Sequence, residues 1–350
     1  MYKRQGNDNS AQVWWFRNPG GEASEGWTES RVAEVEVGSE VKDLYVADVD
    51  RDGKPDVVVR TKHFFALYFQ EEPERWTERK IENREREGMT LADLDEDGDY
   101  DAIMNGYWFE CPADPRRDEW PIHVIDEQWF TDVTGGWQDH SVRIAVGDFD
   151  VDARLDVAFS HSEKPGYQVT WYSSDDPKAG PESWRKHEIG VVDYCHTLRA
   201  GDMDGDGKKD LVLHTWSTNR GKDSDGSVSW YRYPDWTPFV IKENDHVFGD
   251  GIELVDLDGD GDLDVVTAKG DDNSAQVWWF ANPGGDATEG WTESMVAEVE
   301  TGSEVKDLYV ADIDDDGRPD VAVRTKHYFA LYFQETLEKW TERKMENRER

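Results

Sequence analysis

Short apolar stretches alternate with acidic turns along the whole chain. Residues 44–47 (Leu-Tyr-Val-Ala) lead into one such turn, and residues 57–59 (Val-Val-Val) lead out of it. The same happens around 143–147 and 253–255 before turns, and 211–213 and 265–266 after them. β-Branched residues on both sides of a glycine-bearing turn predict two antiparallel strands. A third, aromatic stretch follows at 13–16, 66–69, 107–109, 169–172, 228–231, 277–280 and 330–333. A fourth opens on tryptophan each time: Trp27, Trp76, Trp120, Trp184, Trp236, Trp291 and Trp340. Helical 3.6-residue spacing is scarce, which excludes a helical solenoid. Four antiparallel strands in units of about 50 residues predict an all-β chain, a β-propeller of four-stranded blades.

There are seven third-and-fourth strand pairs but only six acidic turns. The expectation is therefore six full blades at about 38–84, 85–126, 138–191, 192–244, 247–301 and 302–350, plus one partial blade at 6–37. That count fits a seven-bladed, incompletely closed ring whose first blade lacks its two front strands. Residues 6–86 match 270–350 at a constant offset, with 66 of 81 positions identical, and the match stops abruptly at Gly6. Residues 1–5 read as a non-native scar, 6–350 as a single propeller domain, and the chain as part of a longer parent.

The turns share the pattern Asp-x-Asp-x-Asp-(Gly)-x-x-Asp. Its carboxylates are Asp48, Asp50, Asp52 and Asp56; Asp93, Asp95, Asp97 and Asp101; Asp148, Asp150, Asp152 and Asp156; Asp202, Asp204, Asp206 and Asp210; Asp256, Asp258, Asp260 and Asp264; and Asp312, Asp314, Asp316 and Asp320. Calcium takes six to eight oxygens at about 2.3–2.6 Å, and carboxylates at positions 1, 3, 5 and 9 can supply most of them. Four carboxylates per turn repel one another strongly without a cation. We therefore expect up to six structural calcium ions. An EF-hand is excluded, because position 12 reads Val59, Met104, Phe159, Leu213, Thr267 and Val323 in strand-like runs rather than glutamate. The third turn has Ala153 where the others have glycine, so it is expected to hold its ion most weakly.

Charge agrees with cation binding. The 78 acidic residues against 39 basic ones give a formal charge of −39, which argues against nucleic acid as a partner. Six divalent ions would bring that to −27. Seventeen Trp, 13 Tyr and 13 Phe argue for a packed core rather than a disordered polyanion. No apolar run approaches the roughly 18 residues needed to span a bilayer.

These turns, with Trp-Trp-Phe-x-Asn-Pro-Gly after them at 14–20 and 278–284, resemble FG-GAP/VCBS repeats, the integrin-α-like calcium-binding propellers. No literal Phe-Gly…Gly-Ala-Pro motif is present, which favours the VCBS-like branch. The resemblance covers 6–350 and implies an extracellular or cell-surface setting. It leaves several functions open: adhesion modules, lectins and lyase scaffolds all use such propellers. It also implies that ligands bind away from the calcium turns, at the loops joining strands two and three and those joining each blade to the next.

Three tryptophans break the repeat, Trp129, Trp137 and Trp216, and all fall in those loops. His140, His161, His196 and His214 fall at or beside them, as do Tyr194 and Arg220. Indoles beside such groups suit sugar rings. A binding or adhesion module for carbohydrate or a surface partner is the leading expectation. The alternative is a polysaccharide lyase acting on uronate-containing glycans, with His196 or His140 and Tyr194 as base and acid and Arg199 or Arg220 as the cation.

Overall fold

The computed structural model describes residues 2–5, 11–20, 26–35, 41–84, 87–131, 141–215, 226–243, 251–271, 274–299, 305–325 and 328–346. Six four-stranded antiparallel sheets follow one another in chain order. Blade one is Asp43–Ala47, Asp56–Arg60, Phe64–Glu72 and Arg75–Glu82. Blade two is Met89–Ala92, Asp101–Met104, Tyr107–Phe109 and Ile122–Val124. Blade three is Val142–Gly147, Asp156–His161, Tyr167–Ser174 and Trp184–Val192. Blade four is Cys195–Gly201, Asp210–Thr215, Ser227–Arg232 and Thr237–Glu243. Blade five is Ile252–Val255, Asp264–Asp271, Ser274–Ala281 and Thr292–Val299. Blade six is Val305–Ala311, Asp320–Thr325, Tyr328–Thr336 and Lys339–Glu346. Contacts divide the chain into two compact units, 1–17 with 28–191 and 18–27 with 192–350.

Burial explains the pattern of each blade. The second strand of blade one is buried at every position, with Val57, Val58 and Val59 wholly so, because sheets pack on both of its faces. Its fourth strand, Arg75–Glu82, exposes alternate charged residues and ends the sheet. Charged side chains on an edge strand oppose pairing with another chain. Between blades one and two lies a core of Phe65, Leu67, Phe69, Tyr107, Phe109 and Trp120, among others. Blades five and six share another, built on Val266, Val277, Val321 and Val323.

A leading sheet precedes blade one: Tyr2–Gln5, Ala11–Arg17 and Thr28–Val35. The expectation of two missing front strands is corrected here, since Tyr2–Gln5 pairs antiparallel with Ala11–Arg17 and supplies one of them. Any extended segment that reaches an open strand edge can satisfy its backbone there. Its register differs from the repeat: Lys3 stands opposite Val13, whereas in blade five Ala268 stands opposite Val277, a displacement of one residue. Among the described residues no helix is long and apolar enough to cross a membrane.

Candidate metal loops and ligand surface

Each acidic turn joins the first and second strands of its blade, and each is built on the same internal hydrogen bonds. The first aspartate accepts, through Oδ2, the N–H of position 6: Gly53 to Asp48 at 2.9 Å, Gly98 to Asp93 at 3.0 Å, Ala153 to Asp148 at 2.9 Å. Gly207, Gly261 and Gly317 repeat the bond to Asp202, Asp256 and Asp312 at 2.9, 3.1 and 2.9 Å. Position 6 is left-handed in every turn, including Ala153 at φ 72°. Position 4 is left-handed as well, at Arg51, Glu96, Val151, Gly205, Gly259 and Asp315. The sequence reading missed this second constraint, because only two of those six residues are glycine. A β-branched residue rarely adopts that conformation, so Val151 and Ala153 strain the third turn twice.

The ninth-position aspartates brace the turns. Asp56 accepts the N–H of Val49 at 3.0 Å on one oxygen and that of Gln70 at 2.9 Å on the other. Asp101 does the same with Leu94 and Cys111, Asp210 with Met203 and Tyr233, Asp264 with Leu257 and Asn282, and Asp320 with Ile313 and Gln334. Asp156 accepts from Phe149 at 2.7 Å. All six are buried. Burial pushes Asp56, Asp210, Asp264 and Asp320 up to about 6, Asp156 to about 7 and Asp101 to about 8, against the backbone bonds that favour the carboxylate.

Carboxylate oxygens converge in these turns. One oxygen each of Asp48, Asp50 and Asp56 lies within 4.8 Å of the others, as in the trios Asp93, Asp95 and Asp101, Asp148, Asp150 and Asp156, and Asp202, Asp204 and Asp206. Asp202 Oδ1 and Asp314 Oδ1 are buried and accept no hydrogen bond. A buried carboxylate oxygen without a donor costs free energy that a cation would recover. Burial first, and then neighbouring carboxylates, raise Asp150, Asp258 and Asp314. The donor set is all oxygen, which suits a hard cation such as calcium. Fifth-position aspartates also meet bases: Asp52, Asp152, Asp206 and Asp316 each pair with a basic residue two places on, Lys54, Arg154, Lys208 or Arg318.

A second recurrent contact went unread in the sequence. The asparagine of the Asn-Pro-Gly motif donates its side-chain amide to a neighbouring turn: Asn282 to Met203 O at 2.9 Å and Asn18 to Ile313 O at 2.5 Å. Gln334 donates likewise to Leu257 O at 3.3 Å. Every acceptor is the carbonyl of position 2, so an amide at the end of one third strand locks the acidic turn of another blade.

The expected ligand residues separate into groups. Trp137, His140, Trp216 and Arg220 lie outside the described residues. Trp129 is 4% exposed, not the open indole expected: its Nε1 donates to Tyr172 Oη at 2.9 Å, and its ring meets Phe159 and Tyr167. His161 is also buried, its ring 5.1 Å from Tyr167. In blade four His196 and His214 come together with ring centres 6.5 Å apart, both buried, beside the half-buried Tyr194 at φ 48°. Arg199 pairs with Glu253 at 3.3 Å.

The surface residue that the sequence did not single out is Tyr167. It is half-buried, with Trp129 and His161 behind it. Nearby are Gln168, which donates to Glu188 at 3.3 Å, and Lys186, which donates to Gln128 at 3.1 Å and to Gln168 at 3.5 Å. Lys164 lies 5.4 Å above its ring. A half-exposed aromatic ring can offer a sugar a stacking face, and the linked side chains of Gln168, Glu188, Lys186 and Gln128 can offer hydroxyl partners.

Comparison with known proteins agrees with this architecture. Residues 256–323, which hold the whole of the fifth and sixth acidic turns, match the FG-GAP-like repeat family. No curated protein matches the sequence. Among solved structures, the chain is similar to an Agrocybe aegerita lectin described as specifically recognising non-reducing terminal N-acetylglucosamine. That likeness has a TM-score of 0.62 at 15% identity and covers 99% of this chain and 89% of the lectin. Six repeated four-stranded blades and the repeat match together identify the chain as a β-propeller carrying an FG-GAP-like repeat.

Proposed function

We propose that this propeller is a calcium-stabilised carbohydrate-binding module that works outside the cell or on its surface. The observation that carries the calcium half is the convergence of carboxylates in repeated turns, with buried oxygens of Asp202 and Asp314 that accept no hydrogen bond. Calcium at those turns would neutralise clustered charge and tie the first and second strands of each blade together. Its role is structural, because the turns are braced from within by ninth-position carboxylates that no helix or hinge can move. Millimolar extracellular calcium suits sites of this kind.

The fold likeness to a lectin supports the carbohydrate half, together with the half-buried ring of Tyr167 and the polar side chains of Gln168, Lys186 and Glu188. Trp129 acts there as the buried support of Tyr167 rather than as the stacking face. A glycan array with the wild-type chain and Tyr167→Ala tests this reading. Binding to a defined set of glycans that the variant loses is expected. Absence of binding, or binding that Tyr167→Ala leaves intact, counts against it.

A further inference from the structure

The six turns are alike inside but not in what stands over them. Arg116 belongs to blade two, yet its Nε lies 2.5 Å from Asp50 Oδ2 in the turn of blade one, and its Nη1 pairs with Glu71. The guanidinium lies 4.6 Å above Phe69, and Arg79 fixes the segment by donating to Pro115 O and Asp118 O. The Asp50 side chain is only 8% exposed. Lys178 of blade three reaches back in the same way, pairing with Asp95 of blade two and with Glu110 at 2.8 Å; Glu110 is held in turn by His123. In blade four Arg232 places Nε 2.9 Å from Asp204 Oδ2, its guanidinium over Trp230 and Phe239. The partner is always the third-position carboxylate. Among the described residues no lysine or arginine pairs with Asp258 or Asp314, the same position in the fifth and sixth turns.

We infer that Arg116, Lys178 and Arg232 are resident cations that supply part of the charge a calcium ion supplies elsewhere, dividing the turns into two affinity classes. This rests on the calcium reading above. The turns at Asp48, Asp93 and Asp202 form the weak class, because a metal entering them must share or displace an anchored base and is repelled by it. The turns at Asp256 and Asp312 form the tight class. Among the described residues no lysine or arginine pairs with Asp150 either, but Val151 and Ala153 strain that turn, so it belongs to neither class. In the unit of residues 1–17 and 28–191 the bases serve a second purpose: Arg116 and Lys178 each tie one blade's turn to the next blade without metal.

Calorimetric titration of calcium into the calcium-stripped full chain at low ionic strength tests this, using wild type, Arg116→Gln, Lys178→Gln and Asp314→Asn. Wild type is expected to show two classes separated by about tenfold or more in affinity. Arg116→Gln and Lys178→Gln should each move one equivalent from the weak class to the tight class, and Asp314→Asn should delete one tight equivalent. Melting curves of each variant show which are folded, and the lysine variant stands in if the arginine variant is not. Six equal sites in wild type would overturn the inference. So would unchanged classes in both base variants; if Asp314→Asn still removes an equivalent, the calcium reading survives that failure. No calcium binding in any protein would overturn both.

Discussion

The turns at Asp48 and Asp312 are copies of one another, and their surroundings are not. Their main braces match: Val49 and Ile313 donate to Asp56 and Asp320 at 3.0 and 2.9 Å, and Gln70 and Gln334 donate to the same aspartates at 2.9 Å, although Asp50 Oδ1 accepts the N–H of Asp52 at 3.2 Å while Asp314 Oδ1 accepts none. Over the first stands Arg116, paired with Asp50 and Glu71. Over the second, among the described residues, no lysine or arginine pairs with Asp314; instead Asn18 donates to Ile313 O, and Trp27 packs beside Leu331 and Phe333. A repeat sequence therefore sets the inner geometry of its turn, while the neighbouring segment sets the charge. If the turns bind calcium as proposed, two nearly identical segments should hold it with different strength.

The largest effect that sharpens this comparison is metal removal. A ligand bound only by the folded chain stabilises it by about 2.7 kcal/mol per site at a hundredfold excess over Kd. With several sites, EGTA should lower the melting temperature by on the order of 10 °C. Scanning calorimetry with calcium, with EGTA, and after calcium is restored checks this. Hydrogen exchange in EGTA sharpens it further: amides around Asp312 should lose more protection than those around Asp48, which keeps Arg116. Equal loss at the two turns would break the comparison.

Next come substitutions inside the turns. Asp56→Ala and Asp320→Ala each strand two buried backbone N–H groups, at about 1–3 kcal/mol per group. Denaturant unfolding in EGTA should give the two variants the same cost to within about 1 kcal/mol, because each loses the acceptor of the same two principal N–H groups. A large difference would show that the neighbours shape the interior as well as the charge. Trp129→Ala provides a contrast away from the turns. It removes a packed indole, and a loss of about 3–5 kcal/mol is expected whether or not calcium is present.

Two smaller effects follow. Ala153→Gly should relieve strain on the order of 1 kcal/mol and tighten calcium at the third turn, read by calorimetry. The ninth-position aspartates predict an acid effect in EGTA. Their folded values, about 6 for Asp56 and Asp320 and about 8 for Asp101, lie above the unfolded carboxylate value. The native chain then binds more protons, so the stability they contribute is greatest at low pH and is lost as pH rises through about 6 to 8. The calcium-free chain should melt higher at pH 5.5 than at pH 8.5. Melting that rises with pH in that window would contradict the assignment.

Much of this architecture is legible in the sequence because it repeats. A strand that must be buried on both faces reads as an unbroken run such as 57–59, and a turn that needs φ above zero reads as glycine at 53, 98, 207, 261 and 317. Position 4 escapes notice because Arg51, Glu96, Val151 and Asp315 occupy it with ordinary side chains. Arg116 and Lys178 escape it for another reason: each serves a turn 66 or more residues away, and nothing in the local pattern marks the partner. Trp129 shows the limit of reasoning from exceptions. Breaking the repeat marked it as a ligand residue, yet Tyr172 takes its N–H and the core takes its ring. Tyr167 lies inside the repeat, in a third strand, and only its half-burial beside Gln168 and Lys186 singles it out.

The central claim is that these turns hold calcium. Native mass spectrometry of the full chain, purified in millimolar calcium and exchanged into a volatile buffer, tests it most directly. Several retained calcium ions per chain, at most six, are expected, with the count falling by one in Asp314→Asn. A chain that carries no calcium under those conditions, and takes none up on titration, would contradict it.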